Sequence, residues 1–270
     1  MSVATTTVDT RAIQPRAAGF LADCLSIAGR ALRAIPREPE AIVPALVVPV
    51  FFFVVNIGAL ENVAEQSGDV SNFRAFQLPV AIIFAVTGIS RAGALVTDIQ
   101  DGYFDRLLMT PIRRLSLLLG LMIADFALVV ALSIPVLGLG YAVGVRFETG
   151  LLGALVFLFM AGTWGLAFTG FPYAIALKTG SPAAVNSSFI LFFPFAFLTT
   201  AFLPQEALTG WLSAIADWNP VTYLLAGMRE LLLNGWGTTE IAKGFAAIVG
   251  VGLVSMTLAF AALRGRLKRS

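Results

Sequence analysis

Few residues in this chain could do chemistry, and they fall in two places. Asp98, Asp101 and Asp105 recur at spacings of three and four within DIQDGYFDRLLMTPIRR, residues 98 to 114. On a helix they share one side, with Phe104, Leu107 and Leu108 on another. Three carboxylates could hold a cation only with further ligands, and the sequence has no histidine and one cysteine, Cys24. No metal site is expected, and no intrachain disulfide can form. What remains for this stretch is docking, since a short amphipathic helix lies at a bilayer surface or in a partner's groove. Thr110-Pro111 ends it, because proline lacks an N–H and excludes helical geometry before it. A solvated connector is the plainer reading. The second place is Asp125, roughly 15 Å along an apolar run if that run is helical. A carboxyl there is costly and faces protein or a water-filled cavity. Arg91, about 9 Å from the end of the preceding run, either snorkels or pairs with Asp125. A structural partner for Asp125 is at least as natural as a substrate contact.

The elements that position these groups follow from composition. Hydrophobic residues make up 58% and charged residues 13% of the chain, and the mean hydropathy is +0.86. Polar surface could not cover a water-soluble domain of this make-up, so the chain reads as an all-α integral membrane protein. Residues 1–19 read as a flexible cytoplasmic tail without the apolar core of a signal peptide. Over 20–38, Leu21, Leu25, Ala28, Leu32 and Ile35 oppose Asp23, Ser26, Arg30, Arg33 and Arg37. That pattern predicts a helix lying in the membrane interface. The transmembrane region, 41–263, divides into spans at about 41–60, 78–97, 116–143, 150–177, 184–203 and 241–263, each long enough to cross about 30 Å of hydrocarbon. Residues 264–270 form a basic cytoplasmic tail.

Between the last two spans, Asn219-Pro220 is a helix start, with a side-chain cap and proline at the first helical position. The helix it opens, closed by Asn234-Gly235, is too short to cross, so it is expected to be re-entrant or interfacial on the outer side. Its polar groups Asn219, Tyr223 and Arg229, with Glu206, Asp217 and Glu230, form an outer gate or, more plainly, a solvated rim. Phe189, Phe192, Phe193 and Phe195 in the fifth span could line a lipophilic path or simply face lipid and neighbouring helices. Gly140 to Gly144 is a GxxxG pattern, a weak pointer to a dimer face. Asn186, Ser187 and Ser188 are expected to bond between helices or to their own backbone. Fourteen of the 18 Lys and Arg residues then lie on inner segments, the outer ones holding only Arg74, Arg146, Arg229 and Lys243. Both termini are therefore expected in the cytoplasm.

These features resemble a known family. The interfacial helix, the six spans, Asp101-Gly102 followed by Asp105-Arg106-Leu107-Leu108 and Thr110-Pro111, and Asn219-Pro220-Val-Thr-Tyr223 with Arg229 are similar to the permease subunits of type-2 ABC exporters of the daunorubicin-resistance kind. The family usually carries Glu before that glycine and Thr-Leu after it, where this chain has Asp101 and Tyr103-Phe104. The resemblance implies that Asp98, Asp101, Gly102, Tyr103, Phe104, Asp105, Arg106, Leu107, Leu108, Thr110 and Pro111 form a coupling helix received by an ATP-binding cassette subunit. It also implies a second permease, identical or paralogous, residence in the plasma membrane, and export of a hydrophobic or amphipathic drug, lipid or glycolipid.

One absence bears on energetics. GxxxxGK[ST] occurs nowhere, so ATP and Mg are expected on the partner subunit, with no cofactor, no catalytic residues and no nucleic acid on this chain. Two other functions compete. An ion-coupled secondary transporter would use Asp125 at the midplane, but spans one to three show no evident repeat in four to six. A membrane-embedded enzyme would need clustered His, Asp or Glu near one interface, and the sequence offers only the three aspartates.

Overall fold

A computed structural model of the chain describes residues 19–66, 72–87, 89–109 and 114–268. Among the described residues there is no strand, as the composition required. Helix α1, Phe20–Ala34, runs through a 3₁₀ turn into α2, Pro39–Gln66, and α3 is Phe73–Thr87. Then come α4, Ala92–Gln100, the short α5, Tyr103–Leu108, and the long α6, Arg114–Ala142, and α7, Gly150–Thr179. Helices α8, Pro182–Ser187, α9, Phe192–Phe197, α10, Gly210–Ala216, and α11, Pro220–Leu233, precede the last, α12, Thr238–Leu267.

Among the described residues five segments are long and apolar enough to cross a membrane: 42–66, 73–100, 115–142, 150–179 and 238–266. The fifth expected span, 184–203, is instead a chain of short pieces: α8, a 3₁₀ turn and α9, followed by irregular backbone. Two local causes are visible. Pro194 has no N–H to give, and the hydroxyls of Ser187 and Ser188 donate to the carbonyls of Ala183 and Val185, which competes with a regular ladder.

The buried side chains form two main clusters stacked along the bundle. One joins α3, the second half of α6, the first half of α7, α9 and α11, around Trp164, Phe157, Phe192 and Leu224. The other joins α1, α4, the first half of α6 and the ends of α7 and α12, around Leu117, Tyr173 and Phe104.

Small residues set the closest approaches. A Cβ on Gly120 of α6 would come within 2.7 Å of Ile27 and 2.9 Å of the Cys24 carbonyl, so only glycine lets α1 lie directly on α6. Accordingly α1 buries Cys24, Ile27, Ala28 and Ala31 and leaves Leu21 and Leu25 exposed. The apolar face expected from Leu21, Leu25 and Ala28 is thus split, Ala28 packing inside the bundle and the two leucines lying exposed. Likewise a Cβ on Gly140 would meet Leu78 at 2.8 Å, so this GxxxG glycine serves α3–α6 packing inside the chain.

Candidate functional site

The second span is not one helix. Its ladder stops at Thr87 and restarts at Ala92, and the restart needs acceptors for its first N–H groups. Ser90 Oγ accepts from the Ala92 N–H at 3.1 Å, and Asp125 Oδ1, reaching across from α6, accepts from the Arg91 N–H at 2.7 Å. The other Asp125 oxygen takes the Tyr173 hydroxyl at 2.6 Å. On the Thr87 side, the indole N–H of Trp164 donates to the Thr87 hydroxyl at 2.9 Å. Asp125 is fully buried where the two core clusters meet. The expected pairing of Arg91 with Asp125 therefore exists, but through the backbone. The guanidinium turns the other way and forms a two-pronged pair with Glu38, at 2.7 and 3.0 Å, at the junction of α1 and α2. Arg91 is only 7% exposed, so it pairs within the protein rather than snorkelling. A polar cavity of about 390 Å³ opens beside it, lined among others by Glu38, Ser90, Asn186 and Ser188.

From this interruption α4 runs as a short rod to the segment expected to dock. Here the single coupling helix expected over 98–111 is corrected in its described part, 98–109. Asp101 caps α4, Gly102 takes φ 70, and α5 begins again at Tyr103. Left-handed backbone is strained for any residue with a Cβ, which gives Asp-Gly its meaning at this position. Across the turn Asp98 and Asp101 have different surroundings. Asp98 binds the Arg30 guanidinium on α1 at 2.7 Å, while Asp101 is exposed. Hydrogen bonding to Asp98 raises the pKa of Arg30, so this cation stays charged at every physiological pH.

The rest of α5 divides into anchor and surface. Phe104 is buried in the second core cluster and Leu107 packs at its edge. Tyr103 lies under Arg30, with 4.8 Å from guanidinium to ring centre, and the Arg266 guanidinium lies 5.9 Å from the Phe104 ring. Gln100 donates to the carbonyl of Gly180 at the end of α7. Arg106 is exposed and Met109 is 80% exposed. Thr110 and Pro111 lie outside the described residues, as do the side chains of Asp105, Leu108 and Phe189. The end of the bundle thus presents Asp101, Arg106 and Met109 on a turn whose other residues hold it to α1, α4, α7 and α12.

At the opposite end, the residues read as an outer gate come together as a clamp. Asn219 accepts from the Val221 N–H at 3.0 Å and donates to the carbonyls of Phe195 and Leu198 at 2.9 and 2.8 Å, joining the start of α11 to the end of α9. Pro220 takes the first helical position, and Tyr223 donates to the Asp217 carbonyl at 2.6 Å. Arg229 is not on a solvated rim. It is buried over the Phe76 ring, with its forked donors on the carbonyls of Phe76 and Thr200 and on the Thr200 hydroxyl. The phenylalanines expected to line a path separate: Phe192 is core, packed against Phe84 and Phe168, whereas Phe193 and Phe195 are each about 40% exposed. Sequence reading missed the helix interruption, whose only local trace is Gly88-Ile-Ser90-Arg91, and it missed Glu38, Tyr173, Phe76 and Thr200 as partners.

Comparison with known proteins agrees with this architecture. The family model described as ABC-2 type transporter matches residues 23–233. The daunorubicin resistance ABC transporter permease protein DrrB1 of Streptomyces coeruleorubidus is 28% identical over 265 residues, covering 95% of this chain and 89% of that protein. The probable doxorubicin resistance ABC transporter permease protein DrrC of Mycobacterium tuberculosis is 26% identical over 217 residues, 80% of this chain and 79% of that protein. The putative transport permease ycf38 of Cyanophora paradoxa is 24% identical over 220 residues, 78% of this chain and 74% of that protein.

Proposed function

Because the chain belongs to the ABC-2 type transporter family as a multi-pass membrane permease, we propose that it forms the membrane half of an ATP-driven exporter, with ATP and Mg bound by a separate cassette subunit. The observation that carries this reading is the turn at Gly102, which holds an exposed Asp101, Arg106 and Met109 at the end of a rod anchored by Phe104. A partner closing on that turn pushes α4 along its axis. The interruption between Thr87 and Ala92 is the point at which the push becomes a bend, because the ladder is already open there and Asp125 holds its lower edge.

The α5 end faces the cytoplasm of the plasma membrane in this reading, with both termini on that side. A second permease, identical or paralogous, covers part of α2, which exposes Val47, Phe51 and Val54 and packs mainly on α3. The cargo is hydrophobic or amphipathic. The drug names carried by two of the relatives support that class, as do the apolar surfaces of Phe193 and Phe195. The ion-coupled alternative loses its main support, since both Asp125 oxygens are engaged and the side chain is enclosed.

The test is co-purification from membranes. Tagged wild-type chain is expected to bring down an ATPase, and the Asp101→Ala, Arg106→Ala, Met109→Ala triple variant to insert normally and lose it. Equal ATPase in both eluates removes the coupling role from this turn, and none with the wild type removes the exporter reading.

A further inference from the structure

We infer that the groove between the last turns of α7 and α12 is a binding site for an anionic phospholipid. The observation is a cleft of about 740 Å³ between two membrane-length helices, within the size range of small-molecule sites. Its walls are apolar, Phe171 and Ile175 from α7 and Leu258 from α12, and Gly265 keeps it open where a larger side chain would close it. At the end where both helices terminate, its lining carries Lys178 and Arg266 and, among the described residues, no carboxylate. Lys178 is exposed and forms no ion pair among the described residues.

An apolar channel between membrane helices that ends at the exposed Lys178 suits a molecule with an acyl chain and a phosphate. Basic pockets between membrane helices recognise acidic headgroups in this way. The acyl chain lies along Ile175 and Leu258, and the phosphate sits against Lys178 with Arg266 beside it. Arg266 also faces the Phe104 ring and points its Nη1 at the Leu177 carbonyl, 3.4 Å away. A phosphate drawn to it lies next to the α5 anchor, so the bound lipid is part of the surround of that turn. The inference needs only that the chain is membrane-embedded, and stands or falls apart from the exporter reading.

The experiment is native mass spectrometry of the full chain released from nanodiscs containing equal amounts of phosphatidylglycerol and phosphatidylcholine. Wild type is expected to retain phosphatidylglycerol over phosphatidylcholine. Lys178→Gln lowers that preference about fivefold, the factor expected for one basic residue at a membrane surface, and Lys178→Arg preserves it. Gly265→Phe, whose Cβ meets no neighbour within 4 Å, fills the cleft and lowers retention of both lipids. Equal retention of the two lipids by wild type, an undiminished preference in Lys178→Gln, or full retention in Gly265→Phe overturns the inference.

Discussion

Asp125 and Arg229 are buried charged groups that act on backbone. Asp125 accepts the N–H of Arg91 where the second span restarts, and the Tyr173 hydroxyl as well. Asp125→Ala leaves both donors unpaired in a dry interior, at about 1–3 kcal/mol each. Asp125→Asn keeps one carbonyl for the Arg91 N–H and is expected to lose less. Thermal unfolding in detergent checks the order wild type, Asn, Ala, and equal midpoints for all three would contradict the capping role. Arg229 holds the Phe76 carbonyl and Thr200 through a planar fork, which a lysine ammonium cannot reproduce at three acceptors. Arg229→Lys is therefore expected to cost on the order of 2 kcal/mol despite keeping the charge, read as faster proteolysis of the segment between α9 and α11. That Asp125 is special was legible from its position in an apolar run. What it does was not, because its partner is a backbone N–H freed by an irregularity in another helix.

Among the elements, the inner turn shows how far local rules reach. Gly102 was visible as punctuation, but the aspartate spacing suggested a continuous helix, and the left-handed residue at 102 rotates α5 away from that register. Gly102→Ala introduces strain of about 1–2 kcal/mol at a conformation L-residues avoid. No atom obstructs the added Cβ, so the change acts on the turn's conformation alone. The expected outcome is a folded, inserted chain whose partner's ATPase loses stimulation by transport substrate, and unchanged stimulation would contradict a role for the turn's shape. The Arg30–Asp98 pair that ties α1 to α4 is partly exposed. A double-mutant cycle should therefore yield less than about 1 kcal/mol, falling with added salt. The capped start of α11 was legible because Asn219-Pro220 is a local signal. The broken fifth span was not, because its apolar composition satisfied the length rule although the segment folds as short pieces.

For the whole molecule, hydropathy and charge placement gave the class, an all-helical membrane protein, and five segments have the length and apolarity to span. They could not show that the bundle divides into two stacked cores with the Asp125 and Arg91 contacts at their boundary. In the proposed mechanism the core with α1, α4 and α5 moves against the clamp of α9 and α11. The central claim is that this inner end receives the ATPase. Its most direct measurement is site-specific crosslinking, which the single, buried Cys24 makes clean once it is replaced by alanine. Met109→Cys at the inner turn and Leu151→Cys at the opposite end, 80% and 77% exposed, are compared in membranes expressing the cassette subunit. The account predicts a crosslink to the ATPase from position 109 and none from position 151. A crosslink from position 151, or none from 109 in a complex that still assembles, would contradict it.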